Sequence, residues 1–203
     1  QQDRYRPLGR PEVLKVLQSQ DMLPAITFIF SRAGCDGALY QCLRSRMVLT
    51  SQEEAQQIKE IVDAGVEGIP EEDLQVLDFK RWREALSRGF AAHHAGMLPA
   101  FRHIVEDLFV RGLVRAVFAT ETLALGINMP ARTVVLEKLI KFNGEAHVDL
   151  TPGQYTQLTG RAGRRGIDTL GNAVVQWAPA MDPRQVAGLA SVSYTHLTLP
   201  TNR

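Results

Sequence analysis

The pattern of apolar and polar positions divides the chain into short apolar runs separated by longer amphipathic stretches. Runs rich in β-branched and aromatic residues predict buried strands at 25–30, 90–94, 115–120, 133–136 and 173–177. Between them, apolar residues recur every three or four positions, as on one face of a helix. Strands that alternate with helices predict an α/β fold, with a parallel sheet flanked by helices on both faces. In such sheets, ligands bind at the carboxyl ends of the strands.

The segment between the first two predicted strands is the longest helical region. A first helix is indicated over 33–46 by apolar residues at helical spacing. Ser51 and Glu54 then form a capping-box pattern that opens another helix. We expect two or three helices over 51–88. Their amphipathic pattern favours packing on the sheet, and the alternative is a docking surface for a partner.

The composition is that of an ordinary globular domain. Of 203 residues, 45% are hydrophobic and 22% are charged, and 23 Lys and Arg against 22 Asp and Glu give a formal net charge of +1. These values exclude a disordered charged tail and a coiled-coil rod, and any basic binding site must be local. No run approaches the ~20 apolar residues of a membrane span, and the N-terminus lacks the apolar core of a signal peptide. We therefore expect a cytoplasmic protein that makes no membrane contact.

The two cysteines, Cys35 and Cys42, are too few for a disulfide framework or a four-ligand zinc site. They lie seven positions apart in a helical pattern, so they share one face of the helix. We interpret them as reduced core residues, which is typical of a cytosolic protein.

The stretch with the most specific chemistry is 157–168, QLTGRAGRRGID. Its glycines let the backbone approach a ligand closely, and its arginines offer planar donor groups that suit phosphate oxygens. Arg161 and Arg164 are three residues apart, so they project from one face of a helical turn. Two guanidinium groups aimed at one point repel each other unless an anion lies between them, and a polyphosphate is the natural anion. The alternative is a solvated basic turn without a ligand.

A second stretch, 117–135, carries polar residues just after a predicted strand. Thr120 lies at the carboxyl end of that strand, where ligands of parallel sheets bind. Gly126 allows close approach of a ligand, and Asn128 can both donate and accept hydrogen bonds. The alternative is that Thr and Asn only cap the end of the strand.

Two further stretches also follow predicted strands. Ser31 and Arg32 stand at the start of a helix, where a hydroxyl and an arginine make a phosphate site. His93 and His94 are adjacent, so a strand points their rings to opposite faces, and we expect no metal site. We instead expect His94 to be a turn residue and the backbone at Gly96 to approach a ligand.

These four stretches, in this order, resemble the second RecA-like domain of superfamily 2 DExH-box helicases, and most closely the superkiller-type, HelY-like RNA helicases. PAITFIFSRAGCD resembles motif IV, and HHAGMLPAFRHIVEDLF resembles the segment that follows it. FATETLALGINMPARTVV resembles motif V, and QLTGRAGRRGID resembles motif VI. The resemblance covers about 21–190. It implies a RecA-like parallel sheet flanked by helices.

The resemblance also implies a role for each candidate residue in ATP hydrolysis. Arg161 and Arg164 correspond to the arginine fingers that act on the γ-phosphate of ATP. Gly126, Asn128 and Gln157 are expected beside the nucleotide. In the family, a preceding domain carries the phosphate loop, the DExH motif and Mg²⁺, and this chain contains neither motif. We therefore expect this chain alone to hydrolyse no ATP, with that first RecA-like domain as its partner.

The resemblance implies that the remaining candidates bind nucleic acid. Ser31, Gly96 and Thr120 are expected on the backbone of single-stranded RNA, and Arg32 lies at the same helix start as Ser31. Contacts of this type read phosphates rather than bases, so little sequence preference is expected. The function implied is the second motor domain of an ATP-dependent RNA helicase. A DNA translocase of the same superfamily and a non-catalytic nucleic-acid-binding or scaffold module are the alternatives.

The end of the chain departs from this pattern. Residues 191–203, SVSYTHLTLPTNR, carry no acidic residue, no helical period and no clear strand partner. They resemble the translated read-through of a sequencing-adapter oligonucleotide, and the alternative is a genuine extension. We therefore interpret 1–190 as the helicase domain, with a helical insertion near 51–88, and 191–203 as a non-native tail.

Overall fold

The computed structural model describes residues 8–120, 129–137, 140–142, 147–149, 170–175 and 198–200. In chain order its strands are β1 (Ala25–Phe28), β2 (Phe90–His93), β3 (Ala116–Ala119), β4 (Thr133–Leu136), β5 (Ile140–Phe142), β6 (His147–Asp149), β7 (Leu170–Val175) and β8 (Thr198–Pro200). Six of these form one sheet in the order β2-β3-β1-β4-β7-β8, and β5 and β6 form a separate antiparallel pair. The first five strands of the sheet run parallel, whereas β8 pairs antiparallel with β7. The predicted parallel α/β sheet is therefore confirmed.

The central strands are buried on both faces, as their continuous apolar runs predict. Every residue of β1, β2, β3 and β4 is buried, and the four strands share one register. The predicted strand 133–136 matches β4, whereas the other three runs extend one or two residues beyond the paired ladder. The last predicted strand is shifted, because β7 begins at Leu170 rather than at residue 173.

Six helices are described on and around this sheet. They are α1 (Arg10–Ser19), α2 (Arg32–Arg44), α3 (Gln52–Gly65), α4 (Glu71–Leu77), α5 (Phe79–Ser87) and α6 (Pro99–Val110). Three of them occupy the predicted helical segment, and the Ser51 hydroxyl and the Glu54 carboxylate form the reciprocal hydrogen bonds of a capping box. Gly89 and Gly112 adopt positive φ values after α5 and α6, a conformation that glycine adopts without strain.

The connections place α2 and α6 on opposite faces of the sheet. The chain crosses from β1 over β3 to reach β2, and then returns from β2 to β3. Parallel crossovers are right-handed, so a reversal of direction moves the connecting helix to the other face. Helix α2 packs against β2 and β3, α6 packs against β2, and α5 contacts both α2 and β2. Trp82 of α5 also contacts the ring of Phe101 of α6, with ring centroids 5.2 Å apart.

Helix α1 was not among the predicted elements. Its signals are a proline at its start, the acidic Glu12 in its first turn, and the buried Leu14 and Leu17 three positions apart. Arg10 attaches it to the sheet by donating two hydrogen bonds to the carboxylate of Glu137, just after β4. That long-range ion pair has no signature in a local pattern, and the helix is only ten residues long.

Cys35 and Cys42 are fully buried free thiols on α2, as the sequence predicts. Burial raises the pKa of each thiol to about 12, so neither is a reactive thiolate near neutral pH.

The expectation that the final segment has no strand partner was wrong for Thr198–Pro200, which pair with β7 as β8. An edge strand tolerates Pro200, because a proline on the unpaired side of the strand removes no hydrogen bond from the ladder. Whether 191–203 belongs to the natural protein stays a prediction.

Candidate nucleic-acid interface

Three neighbouring strands end at one edge of the sheet, and the candidate residues follow them directly. Ser31 and Arg32 come after β1, Gly96 follows β2, and Thr120 follows β3. The strands are parallel and adjacent in the order β2-β3-β1, so their carboxyl ends meet. At a strand spacing of about 4.8 Å, this surface is about 10 Å wide. We call these four residues the strand-end surface.

The start of α2 supplies the first part of the strand-end surface. Ser31 is the N-cap of α2, and its hydroxyl oxygen accepts a hydrogen bond of 2.8 Å from the amide of Gly34. No acidic residue lies in the first turn of this helix, so the positive end of the helix dipole is not neutralised there. Ser31 and Arg32 are both exposed to solvent. This arrangement suits a phosphate group.

The turn after β2 supplies the second part. The amide of Met97 donates a hydrogen bond of 3.2 Å to the carbonyl of His94, which closes a β-turn over residues 94–97. Gly96 is exposed in this turn and lies against α2. A Cβ atom on Gly96 would be 3.0 Å from Nδ1 of His94 and 3.3 Å from Cδ of Arg32. These contacts are tighter than ordinary van der Waals contacts, so a side chain here would require the His94 ring or the Arg32 side chain to shift by a few tenths of an ångström.

His94 connects these two parts of the strand-end surface. Its Nδ1 accepts a hydrogen bond of 3.1 Å from the amide of Gly96, and its Nε2 lies 2.9 Å from Oδ1 of Asp36 on α2. The side chain of His94 is 7% exposed, whereas that of Asp36 is 50% exposed. The prediction that His94 is a turn residue therefore agrees with the structure, which also gives it a partner on α2.

His93 points to the other face of the sheet, as the adjacent spacing predicts. Its Nε2 lies 2.9 Å from Oε1 of Glu106 on α6, and its Nδ1 has no hydrogen-bond partner among the described residues. Burial lowers the pKa of His93, and this outweighs the opposing effect of Glu106. The neutral imidazole is therefore the stable form, with its proton on Nε2.

Thr120 completes the strand-end surface next to β2. Its amide donates a hydrogen bond of 3.4 Å to the carbonyl of His93, and the residue is 9% exposed. The chain then enters residues 121–128, which lie outside the described residues, as does 150–169. The candidates Gly126, Asn128, Gln157, Arg161 and Arg164 belong to those segments, so their roles stay predictions.

Sequence reasoning missed the carboxylate partners of both histidines, which are Asp36 behind the strand-end surface and Glu106 on the opposite face of the sheet. Asp36 is 58 residues from His94 along the chain, and it lies in a helix whose pattern is otherwise ordinary. Glu106 lies on α6, 13 residues after His93 and beyond the turn that follows β2.

Within the described ranges, no three His, Cys, Asp or Glu side chains are grouped as a metal ion requires, and no helix is long and apolar enough to cross a membrane.

The comparison with protein families agrees with this architecture. The profile of the helicase conserved C-terminal domain matches residues 38–166. The chain is 67% identical over 187 residues to "Probable helicase HelY" of Mycobacterium tuberculosis, a match that covers 92% of this chain and 21% of that protein. It is 40% identical over 163 residues to "Superkiller complex protein 2" of Homo sapiens, covering 80% of this chain and 13% of that protein. It is also 36% identical over 165 residues to "Antiviral helicase SKI2" of Saccharomyces cerevisiae, covering 81% and 13%.

The chain belongs to the helicase conserved C-terminal domain family. Within that family it is a superkiller-type domain, homologous to the HelY and SKI2 helicases. It spans about a fifth of the length of the HelY proteins that it matches. The domain is therefore a helicase motor domain with a RecA-like α/β fold.

Proposed function

We propose that this domain is the second motor domain of an ATP-dependent RNA helicase. In this role it supplies arginine fingers for ATP hydrolysis and holds the backbone of one RNA strand on the strand-end surface. The observation that carries the proposal is the meeting of three strand ends, with Ser31, Arg32, Gly96 and Thr120, at one edge of a superkiller-type helicase fold. The strand ends of a parallel sheet are where this class of fold binds its ligands.

Hydrolysis is assigned to residues of motif VI. Arg161 and Arg164 would donate hydrogen bonds to phosphate oxygens of ATP held by the preceding RecA-like domain, which would also hold Mg²⁺. Gly126, Asn128 and Gln157 would lie beside the nucleotide. Phosphoryl transfer develops negative charge on those oxygens. Arginine fingers stabilise this charge and raise the rate of hydrolysis by a factor on the order of 10³–10⁵. The two domains must close for this contact to form, so closure and reopening would move the RNA strand in steps.

Nucleic-acid binding is assigned to the strand-end surface. The unneutralised N-terminus of α2 and the exposed side chain of Arg32 favour a phosphate, and the exposed backbone at Gly96 is accessible to a ligand. Such contacts position the strand without reading its bases. We assign RNA rather than DNA as the substrate because a similar protein from Arabidopsis thaliana, 40% identical over 163 residues, is named "DExH-box ATP-dependent RNA helicase DExH11".

The proposal is tested by replacing one finger in the full-length protein. Arg164→Ala should lower RNA-stimulated ATP hydrolysis by roughly 10³-fold or more, because the charge that develops on the phosphate loses its partner. Binding of ATP should be largely spared, since the fingers act mainly during hydrolysis. Steady-state turnover and equilibrium binding of a fluorescent ATP analogue measure the two effects separately.

Arg111→Ala is the matched control, because Arg111 is an exposed arginine on the far end of α6 that bonds only Asp107 among the described residues. It should leave turnover unchanged. Turnover of Arg164→Ala within a few-fold of the wild type would contradict the finger assignment.

Unwinding of matched RNA and DNA duplexes separates the RNA helicase from a DNA translocase. Faster unwinding of RNA supports the proposal, and faster unwinding of DNA overturns its substrate. Absence of ATP hydrolysis by the full-length wild-type protein would favour the non-catalytic binding module instead.

A further inference from the structure

One buried side chain joins the turn after β2 to the start of α2, two parts of the strand-end surface, without being exposed on it. His94 bonds the amide of Gly96 in the turn and the carboxylate of Asp36 on α2, at 3.1 Å and 2.9 Å. Its side chain is 7% exposed, whereas Gly96 and Arg32 on either side of it are exposed. His94 therefore lies behind the surface that would contact a nucleic acid.

The two hydrogen bonds determine where the proton of His94 resides. A backbone amide can only donate, so Nδ1 must be the acceptor for Gly96 and cannot carry a proton. Nε2 then carries the proton, and this N–H donates a hydrogen bond to Oδ1 of Asp36. The imidazole thus bridges its two partners, because Nδ1 accepts a hydrogen bond from Gly96 and the N–H at Nε2 donates one to Asp36.

The bridge sets the position of the turn relative to the helix. The hydrogen bond from the Gly96 amide to a side chain two residues earlier closes the turn in the same way as an Asx-turn. The bond to Asp36 then holds the turn one helical turn beyond the N-cap Ser31. Without His94, the turn over residues 94–97 would keep the hydrogen bond of the Met97 amide and the packing of the buried Met97 side chain, but would lose its bond to α2.

We propose that His94 is a positioning residue for nucleic-acid binding, acting through the Gly96 amide and Asp36. This inference rests on the proposed function of the strand-end surface. His94 does not touch the nucleic acid. It keeps the turn and the start of α2 at the separation that lets both contact one strand, so its loss weakens binding more than it slows turnover.

The test uses the full-length protein and a 20-nucleotide oligouridine RNA as activator of ATP hydrolysis. His94→Ala should raise the KM for this RNA at least tenfold and leave kcat at saturating RNA within twofold, because the strand contacts are misplaced and the ATP site is not. Asp36→Ala removes only one of the two bonds and should raise the KM by a smaller factor. Circular dichroism of each variant verifies that it is folded.

His94→Asn is the rescue variant. An asparagine side chain accepts the amide of the residue two positions later in an Asx-turn, so it restores the bond to Gly96 without reaching Asp36. It should return the KM to within about threefold of the Asp36→Ala value. Failure of Asn to restore the KM overturns the proposal. The readout that a merely structural role would not produce is a raised KM for RNA at unchanged kcat and unchanged circular dichroism.

His93→Gln is the matched control, since His93 is the neighbouring buried histidine and bonds α6 rather than α2. It should leave both KM and kcat within twofold of the wild type. Equal effects of His93→Gln and His94→Ala, or an unchanged KM in His94→Ala, would overturn the positioning role. A wild-type protein that shows no RNA-stimulated hydrolysis would instead overturn the proposed function itself.

Discussion

The two sides of β2 use adjacent histidines in different ways. On the α6 side, His93 makes one hydrogen bond to Glu106 and leaves Nδ1 without a partner among the described residues. On the α2 side, His94 uses both nitrogens, and one of its partners is half exposed. The α6 side is closed by aromatic packing, whereas the α2 side opens to the strand-end surface. The two side chains are buried to a similar extent, so the histidines differ in the element at the far end of the hydrogen bond, which is α6 for His93 and α2 for His94.

The largest expected effect concerns the packing on the α6 side. Phe101→Ala should lower the free energy of unfolding by about 3–5 kcal/mol, because it removes a buried ring from α6 and leaves a cavity beside Trp82. Equilibrium urea unfolding of the 203-residue chain, followed by circular dichroism, measures this loss.

Asp36→Ala provides the comparison on the α2 side. The variant leaves the Nε2 proton of the buried His94 without its partner, so it should cost about 1–3 kcal/mol. A loss as large as that of Phe101→Ala would show that the α2 side also carries the stability of the fold.

The next effect is smaller and uses two equivalent caps. Ser31 and Ser51 are both N-cap serines whose hydroxyls accept an amide three residues later, at 2.8 Å and 3.1 Å. Replacing either with Ala should lower the free energy of unfolding by about 1 kcal/mol. In the full-length protein, only Ser31→Ala should also raise the KM for RNA, because Ser51 lies at the start of α3. Equal changes in the KM would remove Ser31 from the nucleic-acid interface.

The smallest effect appears only at acid pH. The pKa of His93 is lowered in the fold mainly by burial, so below the ordinary histidine pKa of about 6.5 the unfolded chain binds a proton that the folded chain excludes. The contribution of His93 to stability is complete above that pH and falls as the pH decreases. The urea midpoint of the wild type should therefore drop more between pH 7.5 and 5.5 than that of His93→Gln. Identical drops would indicate that folding does not lower the pKa of His93.

Local patterns predict the central sheet and the caps because the determining residues are close in sequence. The apolar run of β4, the Ser51–Glu54 capping box and the glycines after α5 and α6 each act within a few residues. The order of the strands and the site partners depend on contacts between distant segments. Asp36 could not be found from the sequence, because its role depends on a histidine 58 positions away.

The same limit explains the elements that sequence reasoning did not predict. Helix α1 is held by the ion pair of Arg10 with Glu137, 127 residues away. The antiparallel pair β5–β6 consists of two three-residue strands, which are too short to show a period. Motifs V and VI were recognised by resemblance, and their geometry lies largely outside the described residues.

The position of α5 has a consequence for how the domain behaves in solution. Strand β2 is the outermost of the parallel strands, and α5 contacts it while reaching both α2 and, through Trp82, α6 on the opposite face. The helix therefore wraps the free border of the sheet. An uncovered border exposes unpaired N–H and C=O groups that recruit strands from other molecules. By covering the outer side of β2, α5 thus protects the domain against self-association and aggregation.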